Sequence, residues 1–216
     1  WLWGEMRKDG IEPQNVRSIY HCHVHPDHVD ADRVFQKKAK KHKGNVHVYY
    51  PAPDAHRFSD NFELIQSNFS ALLSHFGQFP FNKMPISKFL ATTLFKSFVK
   101  YKAPENLHVL KHNQSVTLGK RKARVLTTGG HTEGHSFLYF DDEDKFLANS
   151  DNGCLNEFTS DWRDSIDSIN LAKSLVPNNL IGGHDPLKLG EKRAFDDFRG
   201  QFRRYDSIIS PFLVRA

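Results

Sequence analysis

The sequence predicts one domain of mixed α/β (α+β) class over residues 1–216. A chain of 216 residues fits one ordinary domain, and 38% hydrophobic with 25% charged residues is a balance typical of soluble globular proteins. Strand and helix patterns alternate near the N-terminus, and short strand patterns follow one another from residue 107 onward. Because the sequence contains no internal repeat and no low-complexity linker, nothing in it indicates a domain boundary.

The N-terminal elements are predicted from apolar spacing and from the residues that end each pattern. They are the end of a helix over Leu2–Met6, a strand over Val16–Tyr20, a polar helix over Asp30–Lys43 and a strand over Val46–Tyr50. Gly10 and Gly44 follow the two helices, and Asp30 is placed to cap the second one. Pro51 and Pro53 are expected to close the second strand.

A two-helix insertion is predicted around residues 58–101. Its apolar residues recur at helical spacing in two runs, one ending at Gly77 and the other starting after Pro85. The aromatic stripe fits core or subunit packing, and it also fits a lid over a substrate. The pattern leaves both interpretations open.

From residue 107 onward the pattern is typical of an antiparallel meander, in which tight polar turns join short strands. The predicted strands are Leu107–Leu110, Ser115–Leu118, Ala123–Thr127, Ser136–Phe140 and Lys145–Ala148. An amphipathic helix over Asp161–Leu175, a strand over Asn179–Ile181 and a last helix over Glu191–Ile209 follow.

Composition limits the partners and the compartment. The net charge of +5 and the basic runs at 37–43, 120–124 and 192–204 fit either solvated faces or a footprint for a polyanion. Two cysteines, Cys22 and Cys154, are too few for a disulfide scaffold, so we expect free thiols and a cytoplasmic location. Apolar stretches are interrupted too often to span a membrane. The 13 histidines are a first sign of metal chemistry.

The run His23-Val24-His25-Pro26-Asp27-His28 places four metal-ligand side chains directly after a predicted strand. Side chains alternate along an extended segment, so His23 and His25 point the same way, and a turn at Pro26 brings Asp27 and His28 to the same cavity. Imidazoles mixed with a carboxylate favour a hydrolytic zinc, manganese or iron centre over a thiolate centre.

Three further candidates stand where a strand meets a loop. His131 lies in a glycine-rich turn, Asp151 follows the apolar strand pattern that begins at Phe146, and His184 follows Gly182 and Gly183. A packed scaffold holds side chains at such junctions rigidly over a cleft.

Taken in order, the four motifs are His-x-His-x-Asp-His, Gly-His-Thr-x-Gly-His, an Asp after an apolar strand, and Gly-His near the C-terminal helix. With them the chain resembles the metallo-β-lactamase superfamily. The resemblance implies an αββα sandwich with a dinuclear metal site at one edge. It further implies one ion held by His23, His25 and His131, a second held by Asp27, His28 and His184, and Asp151 as the bridge. In having Asp at the bridging position, the chain is similar to glyoxalase II, lactonases and RNase Z.

The chain departs from this pattern beside the ligands and at its N-terminus. Ser150 stands where Gly usually precedes the bridging Asp, and Gly129 stands where Pro is common. Only 22 residues precede His23, too few for the strands that the superfamily usually places there, and the chain opens at Trp1 rather than Met. We therefore expect the sandwich to lack its N-terminal strands, and a second copy of the chain or an upstream segment to cover the exposed sheet edge.

The resemblance implies a hydrolase in which two divalent ions share a bridging hydroxide as nucleophile, with Zn²⁺ favoured and Mn²⁺ or Fe²⁺ as alternatives. Asp27 and Asp151 are the expected catalytic carboxylates. His21 is expected to hydrogen-bond a ligand carboxylate and His135 to orient a ligand.

The leading interpretation of the function is hydrolysis of a small carbonyl substrate, namely a lactone, thioester or ester. A metal-dependent nuclease acting on RNA or DNA is the alternative. Two further interpretations of the function are hydrolysis of β-lactams as a side reaction and a non-enzymatic role.

Overall fold

The computed structural model describes residues 2–29, 31–59, 103–151 and 161–182. Its helices are α1 (Leu2–Lys8), α2 (Pro26–Val29), α3 (Asp32–Lys41), α4 (Ala52–Ser59) and α5 (Trp162–Ser174). Its strands are β1 (Ser18–Tyr20), β2 (His47–Pro51), β3 (Leu107–Leu110), β4 (Ser115–Leu118), β5 (Arg121–Thr127), β6 (Ser136–Phe140), β7 (Phe146–Ser150) and β8 (Asn179–Gly182). The predicted insertion from residue 60 onward, the last helix and His184 lie outside the described residues.

The described strands form two sheets. The first has the order β1-β2-β3 with parallel pairing throughout, and the second has the order β4-β5-β6-β7-β8. Strands β4 to β7 pair antiparallel as hairpins, whereas β8 pairs parallel with β7. The prediction of one continuous meander from residue 107 is therefore wrong for β3, which joins the first sheet beside β2.

Three apolar clusters separate four layers. Phe35 and Ala39 of α3 pack with Val48 and Tyr50 against one face of the first sheet. Between the sheets, Leu110 meets Val116, Val125, Leu138 and Phe140 of the second sheet, with Tyr20 and Tyr49 at the border. On the far face, Ile169 and Ala172 of α5 cover Leu126, Phe137, Leu147 and Leu180. This helix–sheet–sheet–helix order is the αββα sandwich that the resemblance implied.

Two helix starts differ from the prediction. The N-cap position of α3 is Ala31 rather than Asp30, and alanine has no side chain that could cap the helix. The sequence did not predict helix α4, because Pro51 and Pro53 indicate the end of a strand. Proline is nevertheless tolerated in the first turn of a helix, where the backbone N–H groups have no intrahelical partner. Helix α5, by contrast, starts as predicted, with the Asp161 carboxylate accepting from the N–H groups of Arg163 and Asp164.

Strand β1 lies at the edge of the described first sheet, where it pairs with β2. That an upstream segment or a second copy covers this edge stays a prediction, as does the single domain over residues 1–216. No described helix is long and apolar enough to cross a lipid bilayer.

Candidate metal centre

The first ligand motif leaves β1 and turns into one helical turn. The N–H of His21 donates to the carbonyl of Tyr49 on β2, and the chain then bends at Cys22 and His23. Helix α2 then starts at Pro26, and the N–H groups of His28 and Val29 donate to the His25 carbonyl at 3.0 and 3.3 Å. The turn predicted at Pro26 is thus a short helix, which folds His28 back towards His23; their ring centroids lie 4.2 Å apart.

The second motif is a closed loop between β5 and β6. The N–H groups of Thr128 and Gly129 both donate to the His135 carbonyl, at 2.8 and 3.1 Å. Gly130 has φ +96°, and a Cβ built on it would lie 2.5 Å from the backbone nitrogen of Ser165. Only glycine fits both the left-handed backbone and this close approach to α5. The contact fixes His131 at the end of the second sheet.

The third motif follows β7, whose carboxyl end points to the same edge as the other two. Asp151 is 9% exposed. Its Oδ2 atom lies 3.2 Å from His28 Nε2, 3.6 Å from His131 Nε2 and 3.7 Å from His23 Nε2. One carboxylate oxygen therefore faces three imidazoles that come from two different loops.

The remaining predicted ligand of this group closes the cluster. His25 Nδ1 lies 3.0 Å from His131 Nε2, and the rings of His23, His25 and His131 meet edge to face with centroids 4.5–4.8 Å apart. One potential ligand atom from each of His23, His25, His131 and Asp151 lies within 4.8 Å of the other three. The structure thus brings these predicted ligands together.

The donor set fits a metal ion. His23 Nε2 is buried and has no hydrogen-bond partner among the described residues, which is costly for a polar atom unless a cation or a water binds there. Ligand atoms about 2.0–2.1 Å from one tetrahedral zinc lie roughly 3.4 Å from one another. Three of the separations among the four atoms are 3.0–3.7 Å, and all are within 4.8 Å. Three imidazoles and a carboxylate suit zinc or a similar divalent ion.

Electrostatics favour neutral imidazoles ready to bind a cation. Burial lowers the pKa of His23 well below its ordinary value, and the nearby His135, His25 and His131 rings lower it further. Burial likewise lowers the pKa of His135, with a further contribution from His131. Because protons compete poorly for such rings near neutral pH, their lone pairs remain available to a metal.

Ser150 sits between two of the ligands in a conformation that side chains rarely adopt. Its φ is +48°, in the left-handed region. Its hydroxyl lies 3.4 Å from His23 Nδ1 and 3.4 Å from Asp151 Oδ1. Since Nε2 of His23 faces the cluster, Ser150 Oγ is placed to accept from the other ring nitrogen and to hold the ring orientation.

Asp54 is a site residue that the sequence reasoning missed. It is 1% exposed on α4, and its Oδ2 accepts from the Val24 N–H at 3.2 Å and from the Thr132 hydroxyl at 2.8 Å. Its Oδ1 accepts from the Gly134 N–H at 2.8 Å. One buried carboxylate therefore ties the His23–His25 segment to the His131 loop. A helix-start signal, Pro53 followed by an acidic residue, could have revealed it.

The other predicted site residues have mixed outcomes. The prediction for His21 is wrong in its partner, because its Nε2 lies 2.9 Å from Oδ1 of Asp32, which is not one of the predicted ligands. The first turn of α3 brings Asp32 next to His21, and the Tyr50 hydroxyl donates to the other Asp32 oxygen at 2.8 Å. His135 is fully buried with its ring 5.5 Å from that of His23, and neither ring nitrogen has a hydrogen-bond partner in the described part of the chain. The side chain of Asp27 and the whole of His184 lie outside the described residues.

The thiol of Cys22 is unsuited to nucleophilic chemistry. Within the ranges that the structure describes it is free, and burial raises its pKa to about 12. A thiol that stays protonated at neutral pH is a poor nucleophile and a poor metal ligand. Cys154 lies outside the described residues.

Solved structures of known proteins share this fold. A metallo-β-lactamase family protein from Thermus thermophilus matches with a TM-score of 0.64 and 20% identity over 97% of this chain and 68% of its own. A metallo-β-lactamase from Elizabethkingia meningoseptica matches with a TM-score of 0.60 and 14% identity, over 97% of this chain and 77% of its own. A β-lactamase domain protein from Burkholderia ambifaria matches with a TM-score of 0.63 and 16% identity, over 96% of this chain and 60% of its own. The chain therefore spans between 60% and 77% of the lengths of these three proteins.

Comparison by sequence gives no match where comparison by structure does. No family model matches the sequence, and no curated protein matches it significantly. At identities of 14–20%, the structural matches establish the fold, so the resemblance inferred from the four motifs is confirmed at that level.

Proposed function

We propose that this chain, which has the metallo-β-lactamase fold, is a metal-dependent hydrolase of small carbonyl substrates such as lactones, thioesters or esters. The observation that carries the proposal is the position of Asp151 Oδ2, 3.2–3.7 Å from the Nε2 atoms of His23, His28 and His131. His28 belongs to the second predicted ligand set and the other two to the first. A carboxylate facing both sets is what a bridging ligand requires.

The proposed centre is dinuclear, with zinc as the expected metal. When bound, such ions lower the pKa of a water and polarise a substrate oxygen. His23, His25 and His131 would hold one ion, and Asp27, His28 and His184 the other. The assignment of His184 comes from the resemblance; among the described residues, Gly182 at the end of β8 pairs with Ser150 directly beside Asp151.

The chain's own residues would perform the remaining tasks. Asp27 is proposed to orient the water and to accept its proton. Ser150 holds the ring of His23, and Asp54 fixes the two histidine loops relative to each other. No side-chain nucleophile is needed, which agrees with the protonated thiol of Cys22.

Among the described residues, the position of the cations on strand β5 favours a small substrate over a nucleic acid. Strand β5 carries Arg121, Lys122 and Arg124 at its start, while its last residue, Thr127, leads into the histidine loop. These cations are therefore at the end of the strand away from the centre. A nuclease would need them beside the metal, where the phosphate backbone passes.

Metal-loaded protein would be assayed with chromogenic lactones, thioesters, esters, phosphodiesters and β-lactams, the last because one of the similar structures is named a metallo-β-lactamase. We expect carbonyl-ester hydrolysis that chelation abolishes and zinc restores. Asp151→Asn should lose it, whereas the exposed control Asp144→Asn should keep it. Phosphodiester cleavage alone would replace this proposal with the nuclease, and a rate equal to that of buffer on every substrate would refute a hydrolase.

A further inference from the structure

A second surface with its own chemistry lies on the outer face of the second sheet. A cavity of about 440 Å³ opens there, lined by residues of β4, β5 and β6 that include Ser115, Lys120, Lys122, Arg124 and Tyr139. It lies at the start of β5, whereas the histidine loop follows the end of that strand. The metal centre therefore does not account for it.

The cations around this cavity are only partly neutralised. Arg121 donates to both oxygens of Asp142 at 2.6 Å and also packs against the Phe140 ring. Lys120, Lys122 and Arg124 are exposed and form no ion pair within the described residues. The Tyr139 hydroxyl, rather than a cation, bonds Asp141, the other carboxylate at the rim.

The strand register explains why the charge stays uncompensated. Lys122 and Arg124 share one face of β5, and their partners on β4 are Thr117 and Ser115. Opposite charges at such cross-strand positions are stabilising and like charges close together are not. Here the partners are hydroxyls, so two cations stand side by side with hydrogen-bonding groups opposite them. This arrangement suits an anion that is not part of the chain.

We propose that this cavity binds a small phosphorylated molecule through its phosphate group. A guanidinium fork, ammonium groups and hydroxyl donors are the groups that recognise phosphate oxygens. A volume of 440 Å³ is within the range of small-molecule sites. Asp141 also lines the cavity, and its carboxylate, which is bonded by the Tyr139 hydroxyl and by no described cation, would repel the continuing backbone of a nucleic acid, which favours a compact ligand.

The site can be mapped by following backbone amide resonances while zinc-loaded protein is titrated with inorganic phosphate and then with pyrophosphate. We expect saturable shifts in β4 and β5, with pyrophosphate binding more tightly because it carries more charge. Arg124→Ala should weaken this binding about tenfold or more, the loss expected for one charge-assisted contact. Lys111→Ala, which removes an exposed cation outside the cavity, is the matched control.

Each alternative outcome overturns the proposal. Shifts confined to residues around the His131 loop would mean that phosphate binds only at the metal. Equal weakening by both variants would mean non-specific attraction. If single-stranded RNA binds with a steep salt dependence while pyrophosphate does not, the surface is a nucleic-acid footprint instead. Because both cations are exposed, thermal melting of the two variants should match that of the wild type, and ester hydrolysis should be unchanged.

Discussion

Replacing Asp54 by asparagine tests whether one buried carboxylate holds the two histidine loops together. Its oxygens accept from Val24 N–H, Thr132 Oγ1 and Gly134 N–H at 2.8–3.2 Å. An amide has only one acceptor oxygen, so at least one of these donors would face an NH₂ group instead. A buried donor left without an acceptor costs about 1–3 kcal/mol, and the other bonds lose their charge assistance. We expect the free energy of unfolding to fall by about 2–3 kcal/mol.

The same change should weaken metal binding, because Val24 lies between two ligands and Thr132 and Gly134 follow a third. Losing a group that orients ligands typically costs about 10–100-fold in metal affinity. The assay is urea denaturation of metal-free protein together with competition for zinc against a chromogenic chelator. Asp144→Asn removes a carboxylate of the same charge that is 70% exposed and should change neither quantity. If Asp54→Asn matched that control in both, the clamp would be refuted.

Further predictions concern strain, close packing and protonation. Ser150→Gly should raise the free energy of unfolding by about 1 kcal/mol, because glycine relieves the strain of the left-handed backbone, while Ser150→Ala should not. Both variants should bind zinc more weakly than the wild type. An unchanged zinc affinity would exclude the proposed contact with His23. Gly130→Ala should cost at least about 2 kcal/mol, because of its φ of +96° and the 2.5 Å approach of a Cβ to the Ser165 backbone nitrogen; wild-type thermal stability would contradict this. Metal-free protein should lose stability as pH falls below about 6.5, because unfolded chains take up protons that the buried His23 and His135, with their lowered pKa, do not. Stability that is flat or rising as the pH is lowered through that range would count against their burial in neutral form.

The parts of the centre that sequence could predict are those governed by local periodicity. Alternation along an extended segment predicts that His23 and His25 lie on one side, and their ring centroids are 4.6 Å apart even though the chain bends at Cys22 and His23. His131 and Asp151 follow the ends of β5 and β7, and the antiparallel pairing of both strands with β6 brings those ends to one edge of the second sheet. In these cases short-range geometry and the resemblance point to the same residues.

What the sequence did not predict depends on contacts between distant segments. Strand β3 pairs with β2 although the two are far apart along the chain, and no local pattern separates that pairing from a hairpin with β4. Asp54 is close to Thr132 and Gly134 only after both sheets have packed. His21 meets Asp32 because α3 starts at Asp32, later than the sequence indicates.

The most direct test of the account is the number of zinc ions bound per chain after equilibrium dialysis, measured by elemental analysis of wild type and of Asp151→Ala. We expect two ions in the wild type and a clear loss in the variant, because one Asp151 oxygen faces ligands of both proposed ions. A wild type that binds less than one ion, or a variant that keeps both, would contradict it.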